Sequence, residues 1–191
     1  MNLTATGRID EALNLAERAK EIDPLSPGTN VVLGRVFYSG RQYEKAISAF
    51  RDVIELNPSY ARAHVRLGMT YTVRRNFAAA IHEFETARKI SGPDAYVDGL
   101  LGCAQALSGN IAGANETLQE LASRSHDEYV PAFSIAIVYV GLGNRDRALD
   151  WLEKAYQDRS VYMVYLKTDP ILDSLRSDPR FISLLHRMAL L

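Results

Sequence analysis

Apolar positions keep a helical spacing along most of the chain, and the pattern itself returns every 34 residues. Residues 29–60, TNVVLGRVFYSGRQYEKAISAFRDVIELNPSY, read as two amphipathic helices joined at Ser39-Gly40-Arg41 and stopped at Asn57-Pro58. Take Pro27, Ala61, Ala95 and Tyr129 as position 1 of four successive units. Position 8 is then Gly34, Gly68, Gly102 and Ala136, and position 20 is Ala46, Ala80, Ala114 and Ala148. Position 7 is Leu33, Leu67, Leu101 and Ile135, and position 24 is Phe50, Phe84, Leu118 and Leu152. Position 11 is aromatic as Phe37, Tyr71 and Tyr139, with Gln105 the exception. Small residues at 8 and 20 let two helix backbones approach, while large residues at 7, 11 and 24 fill the space beside that contact. Gly40, Gly109 and Gly143 are expected at the inter-helix turns because glycine tolerates a positive φ, with Asn76 taking that role in the second unit.

The same register runs backward through Ile9, Ala12, Ala16, Ala19, Ile22 and Pro24, which match a second helix without its first. The expectation is either a piece of a longer protein or an abrupt start. One domain is predicted over 1–191: a partial repeat at 1–26, full repeats at 27–60, 61–94, 95–128 and 129–162, and a capping tail at 163–191. In the tail, Asp169-Pro170 and Asp178-Pro179 each pair an N-cap residue with proline at the first helical position. The first should open a turn or two through Leu175. The second should open a terminal helix to about Leu190, burying Phe181, Leu184, Leu185 and Met188.

In residues at positions 7, 8, 11, 20, 24, 27 and 32, the chain resembles the tetratricopeptide (TPR) repeat family. Unit two is nearest, with Leu67, Gly68, Tyr71, Ala80, Phe84 and Ala87. The resemblance implies an all-α, right-handed superhelical solenoid of antiparallel helix pairs with a C-terminal capping helix. From Pro131 onward the chain also resembles the C-terminal TPR tails of bacterial winged-helix, adenylate-cyclase or protein-kinase signalling proteins. That likeness is carried by the run Ile135–Gly143, Trp151-Leu152, Ala155-Tyr156, Tyr165-Leu166-Lys167 and the stretch LRSDPRF at 175–181. None of the three effector domains is present, so no catalytic or DNA-binding role follows from it.

Composition narrows the chemistry. The 191 residues are 47% hydrophobic and 24% charged with a net charge of −1, without the concentrated basic face that nucleic acid or a membrane surface requires. A single cysteine, Cys103, excludes an internal disulfide and a zinc site built on several thiolates. The start lacks a signal-peptide pattern and no apolar run approaches the roughly 20 residues of a membrane span, so a cytoplasmic setting is expected. His64, His82, His126 and His186 are scattered without an i, i+4 partner, and the glycine-rich 107–113 falls at an inter-helix turn. No metal, no cofactor and no enzymatic activity are expected.

The family resemblance directs attention to the inner face, lined in TPR proteins by first-helix positions 2, 5, 9, 12 and 13. From these, together with Arg66, we take Val31, Arg35, Tyr38, Arg62, Val65, Met69, Tyr96, Cys103, Phe133 and Ile137 as the partner-binding groove. Arginines lie at its N-terminal end and apolar side chains at its C-terminal end; Val31, Arg35, Tyr38, Arg62, Val65 and Met69 are expected to be the open part. The carboxylate clamp of co-chaperone TPR domains does not fit, because its sites correspond to Val31, Arg35, Arg66, Tyr96 and Leu100. Three occupants remain for the apolar end: a protein or peptide partner, a second copy in a homodimer, or the chain's own apolar Val161–Leu166. The function read from the sequence is a non-catalytic protein–protein interaction scaffold, the regulatory arm of a bacterial signalling or transcription-control protein. The alternative is a self-association or ligand-sensing module whose groove is partly filled by its own tail.

Overall fold

The computed structural model describes residues 3–190; residues 1, 2 and 191, at the ends of the predicted partial repeat and tail, lie outside them. Ten α-helices occur among the described residues. They are α1 (Ile9–Ile22), α2 (Pro27–Ser39), α3 (Tyr43–Leu56), α4 (Ala61–Val73), α5 (Phe77–Ser91), α6 (Ala95–Leu107), α7 (Ile111–Arg124), α8 (Ala132–Gly141), α9 (Arg145–Gln157) and α10 (Pro179–Arg187). Two 3₁₀ segments, Val161–Tyr165 and Pro170–Leu175, lie between α9 and α10. The fold is an all-α, right-handed solenoid of antiparallel helix pairs, closed at the C-terminus by α10 against α9. Three first helices begin on the 34-residue spacing, at Pro27, Ala61 and Ala95. The fourth starts three residues late, at Ala132, because Pro131 holds an extended backbone with ψ 125° just before it.

The inter-helix turns correct one expectation. Gly40 has φ −82° and Asn76 φ −90°, so neither carries the left-handed residue. That residue stands one place beyond Gly40 in the unit, as Arg41 (φ 60°), Arg75 (φ 60°), Gly109 (φ 94°) and Gly143 (φ 69°). Gly40 is instead needed for space, since a Cβ there would lie 2.8 Å from an Ile9 methyl. The next position supplies a cap: the side chains of Asn76, Asn110 and Asn144 accept from the backbone N–H of Ala79, Gly113 and Arg147.

Within a unit, the glycine at position 8 makes room for the ring at position 24. A Cβ on Gly68 would stand 2.7 Å from the Phe84 ring, and Gly34 bears the same relation to Phe50. Ala46, Phe50, Ala80, Phe84, Ala114, Ala148 and Leu152 are accordingly buried. Polar pairs tie neighbouring helices where water is excluded. Buried Asp98 on α6 forms an ion pair with Arg88 of α5 (2.9 Å) and accepts from Arg124 of α7 (2.5 Å). His64 of α4 meets Glu83 of α5 at 2.7 Å and the Pro58 carbonyl at 2.9 Å.

Both Asp-Pro starts form as expected. Asp169 accepts from the N–H of Ile171 and Asp178 from that of Arg180. Helix α10 stops at Arg187, short of Leu190, with Phe181, Leu184 and Leu185 buried and Met188 half-buried. Ion pairs Arg180–Asp150 (2.5 Å) and Arg187–Glu153 fasten α10 to α9.

Candidate functional site

The concave face is built from α2, α4, α6 and α8, and the chain's own tail lies across it. The first 3₁₀ segment lays Tyr162 against Tyr96, ring centroids 4.0 Å apart and stacked, and beside Phe133 at 5.9 Å. Arg35 donates to the Tyr165 hydroxyl and its guanidinium sits 5.1 Å from the centre of that ring. The second segment packs on α4 and α8. There Tyr38 donates to the buried Asp169 carboxylate at 2.7 Å, and Arg41 donates to Asp173 at 2.9 Å. Tail residues Met163, Leu166, Ile171, Leu172 and Leu175 are buried in the same apolar cluster as the inner face.

The predicted groove residues thus divide into two groups. Val31, Tyr38, Met69, Cys103, Phe133 and Ile137 are buried. Arg62 is exposed, and Arg35, Val65, Arg66 and Tyr96 are half-buried. The expectation that Val31, Tyr38 and Met69 stand open is therefore corrected: all three are buried, Tyr38 against the tail's Asp169, and the tail reaches the N-terminal half of the face as well. At the C-terminal end a second cause operates. A Cβ on Gly99 would meet the Ser134 carbonyl oxygen at 2.5 Å, and one on Gly141 the Cys103 carbonyl oxygen at 2.7 Å. Helices α6 and α8 touch backbone to backbone there, so inner-face positions become interhelix packing rather than a groove wall.

Burial sets the chemistry of this interface. It pushes the Cys103 thiol up to about 12, which leaves it protonated and unreactive at neutral pH. Burial also raises the Tyr38 hydroxyl well above its ordinary value, with Asp169 adding to the effect. The Asp169 carboxyl is raised by burial as well, and the hydrogen bonds from Tyr38 and the Ile171 N–H offset part of that rise. Tyr162 and Tyr165 lie in the apolar run that the sequence offered as an occupant of the groove, whereas Asp169, an aspartate before proline, read only as a helix cap.

Three arginines lie along this face, Arg62 exposed and Arg35 and Arg66 half-buried. Arg35, Arg62 and Arg66 have no carboxylate within ion-pair distance among the described residues. Arg66 turns a guanidinium N–H toward the Met69 sulfur at 3.4 Å, and the Tyr96 hydroxyl faces the same sulfur at 3.8 Å. Burial, then the charges of Arg66 and Arg62, lower the Arg35 pKa, while Tyr165 opposes them. No group of three His, Cys, Asp or Glu side chains able to hold a metal occurs among the described residues. No helix among them is long and apolar enough to cross a membrane.

Residues 31–96 match the family described as Tetratricopeptide repeat. Over that stretch the repeats are similar to tetratricopeptide repeats. Tetratricopeptide repeat protein 21A of Mus musculus is 34% identical over 68 residues, which cover 36% of this chain and 5% of that protein. The chain therefore spans a small fraction of this curated relative. Among solved structures, TTC0263, a thermophilic TPR protein of Thermus thermophilus, superposes with a TM-score of 0.67 at 22% identity, over 89% of this chain and 93% of that one. YrrB, described as a TPR protein with an unusual peptide-binding site, superposes at 0.53 with 17% identity over 92% and 91%. At these identities the likeness shows the fold.

Proposed function

We propose that this TPR chain is a non-catalytic protein-interaction scaffold whose partner docks over the tail-covered concave face, along its N-terminal half. The observation that carries this reading is the state of the groove. Fully burying five apolar side chains of the tail is worth about 1.5–3 kcal/mol each, about 8–15 kcal/mol together as an upper bound. Lifting the tail would expose these side chains and break the Tyr38–Asp169 and Tyr162–Tyr96 contacts, so a partner meets the tail's outer surface instead of replacing it. Arg62, Val65 and Arg66 on α4 and Val161 and Val164 in the tail are exposed or half-buried. YrrB's description as a peptide-binding TPR protein is compatible with a peptide ligand here. The resemblance of the last 60 or so residues to bacterial signalling tails supports placing the chain as a cytoplasmic regulatory arm of such a protein.

A photo-reactive residue tests the location. At Val164 or Val65 it should trap a partner in the producing cells, and at Gln119 on the exposed side of α7 it should trap none. Capture from Gln119 alone would reject the concave face. A second reading, self-association, is favoured by Leu15, Ile22 and Leu25 in and after α1, which are 55%, 86% and 70% exposed. Sedimentation across a concentration series decides it, since a constant monomer mass excludes a dimer.

A further inference from the structure

We infer that the cleft where the tail's second 3₁₀ segment meets the inter-helix turns is a site for one aromatic side chain of the partner. That partner is the one assigned to the docking face above, on which the inference rests.

The cleft encloses about 260 Å³. Tyr43 opens α3, Val73 closes α4, Phe77 opens α5 and Leu107 closes α6, and all four line it. Pro170 and Ile171 of the tail complete the wall, so the site exists only with the tail seated. It lies at the C-terminal end of α4, the helix that carries Arg62, Val65 and Arg66 nearer its start, and so continues the proposed docking face.

The walls call for an apolar occupant. Leu107 is 38% exposed, and Tyr43, Val73 and Phe77 are half-buried, so large apolar side chains of three successive units share a space still open to water. Covering them is favourable in proportion to the apolar area removed from water. Two polar groups of the cleft are already satisfied. The Thr72 hydroxyl donates to the Gly68 carbonyl at 2.9 Å, and Asp173 accepts from Arg41 (2.9 Å) and Arg176 (2.6 Å). An apolar group entering the cleft leaves neither of them unpaired. Small-molecule sites fix their ligand with several convergent polar groups; here only Arg75 is left to do so, whereas a side chain is oriented by its own backbone.

Size and charge select a ring. An apolar cavity of about 150 Å³ takes benzene, and the larger volume here suits a two-ring indole. Arg75, held in the left-handed turn conformation (φ 60°), also lines the cleft, and its guanidinium lies 5.7 Å from the centre of the Phe77 ring. A guanidinium attracts the electron-rich face of an aromatic ring and has no such attraction for an aliphatic chain. The complementary group is a tryptophan side chain, a residue type enriched among interface hot spots.

The test uses the full chain with labelled methyl groups, observed by NMR and titrated separately with indole, N-acetyl-tryptophanamide and N-acetyl-leucinamide. Capped tryptophan should shift the Val73, Leu107 and Ile171 methyls, while those of Leu15 and Ile22, which are more exposed than Leu107, stay unmoved. Capped leucine should bind at least about tenfold more weakly. L107E should weaken capped-tryptophan binding at least about tenfold. R75N keeps a residue that tolerates the left-handed turn but removes the cation, and should weaken binding about two- to fivefold. Unaltered melting temperatures separate lost binding from lost folding, and if one variant unfolds the other carries the comparison. Equal shifts at Leu15 and Ile22, or undiminished affinity in L107E, would overturn the site. Capped leucine binding as tightly as capped tryptophan would overturn its aromatic preference. Indole binding more than about tenfold tighter than capped tryptophan would mark a small-molecule site and overturn the partner half. Photo-crosslinking from Val164 should fall in L107E. Unchanged trapping there would overturn the anchor and leave the docking face standing, whereas no trapping in either protein with the methyl shifts intact would reject the face and its partner but not the ring site.

Discussion

At the scale of single residues, Asp169 shows how the tail is held. Its carboxyl accepts from the Tyr38 hydroxyl and the Ile171 N–H while being almost wholly out of water. Burial raises its pKa in the folded chain above the usual carboxylate value near 3.8. A raised folded pKa means that the stability it contributes is complete below the unfolded pKa and declines as pH rises through the folded one. Asp169→Asn keeps an acceptor for both donors and removes the titration. The stability of wild type relative to this variant should therefore fall as pH rises from about 4, and then level off above the folded pKa. Chemical denaturation of both proteins between pH 3 and 8 checks this; a difference that is flat or rises with pH would contradict it. Asp173 works in the opposite sense. Burial raises it, but Arg41 and Arg176 outweigh that and hold it below the ordinary range, which is why the comparison with Asn at position 169 must be a difference.

At the scale of elements, the helices were legible from the sequence because their period is redundant. Every unit repeats the small and apolar positions, and α3 ends at Leu56, just before the stop read at Asn57-Pro58. The turns were legible only in part. Gly40 looked equivalent to Gly109 and Gly143, yet it stands one place before them in the unit, and arginine takes the left-handed conformation at 41 and 75. Glycine pointed to the right residue at 109 and 143 and to the wrong one at 40. The closeness of α6 and α8 was written in small side chains at inner-face positions, Gly99, Cys103 and Gly141, of which Cys103 had been read as groove lining. Gly99→Ala puts a methyl against the Ser134 carbonyl, backbone that a rotamer change cannot move. We expect a loss of about 1–3 kcal/mol in urea denaturation. Gly92→Ala should lose less, because its left-handed φ of 80° is strained for alanine but open space surrounds it.

For the whole molecule, what decides function is long-range and left almost no local trace. Arg35 meets Tyr165 and Tyr38 meets Asp169 across about 130 residues, and no periodicity of helices announces such pairs. The apolar run at 161–166 raised the self-filling possibility; its reach to the N-terminal half of the face depends on the path through Asp169-Pro170, which only the fold supplies. The central claim is that this tail is a permanent wall of the solenoid, leaving the arginine-bearing outer side for partners. Native-state hydrogen exchange measures it most directly. The amides of Met163, Leu166, Asp169 and Leu172 donate to Ser160, Met163, Tyr165 and Asp169 within the tail. The account predicts that they exchange with the same opening free energy as the core amides of α4 and α6, that is, only through global unfolding. Tail amides that open several kcal/mol more easily, while α4 and α6 stay protected, would show a detachable latch and contradict it.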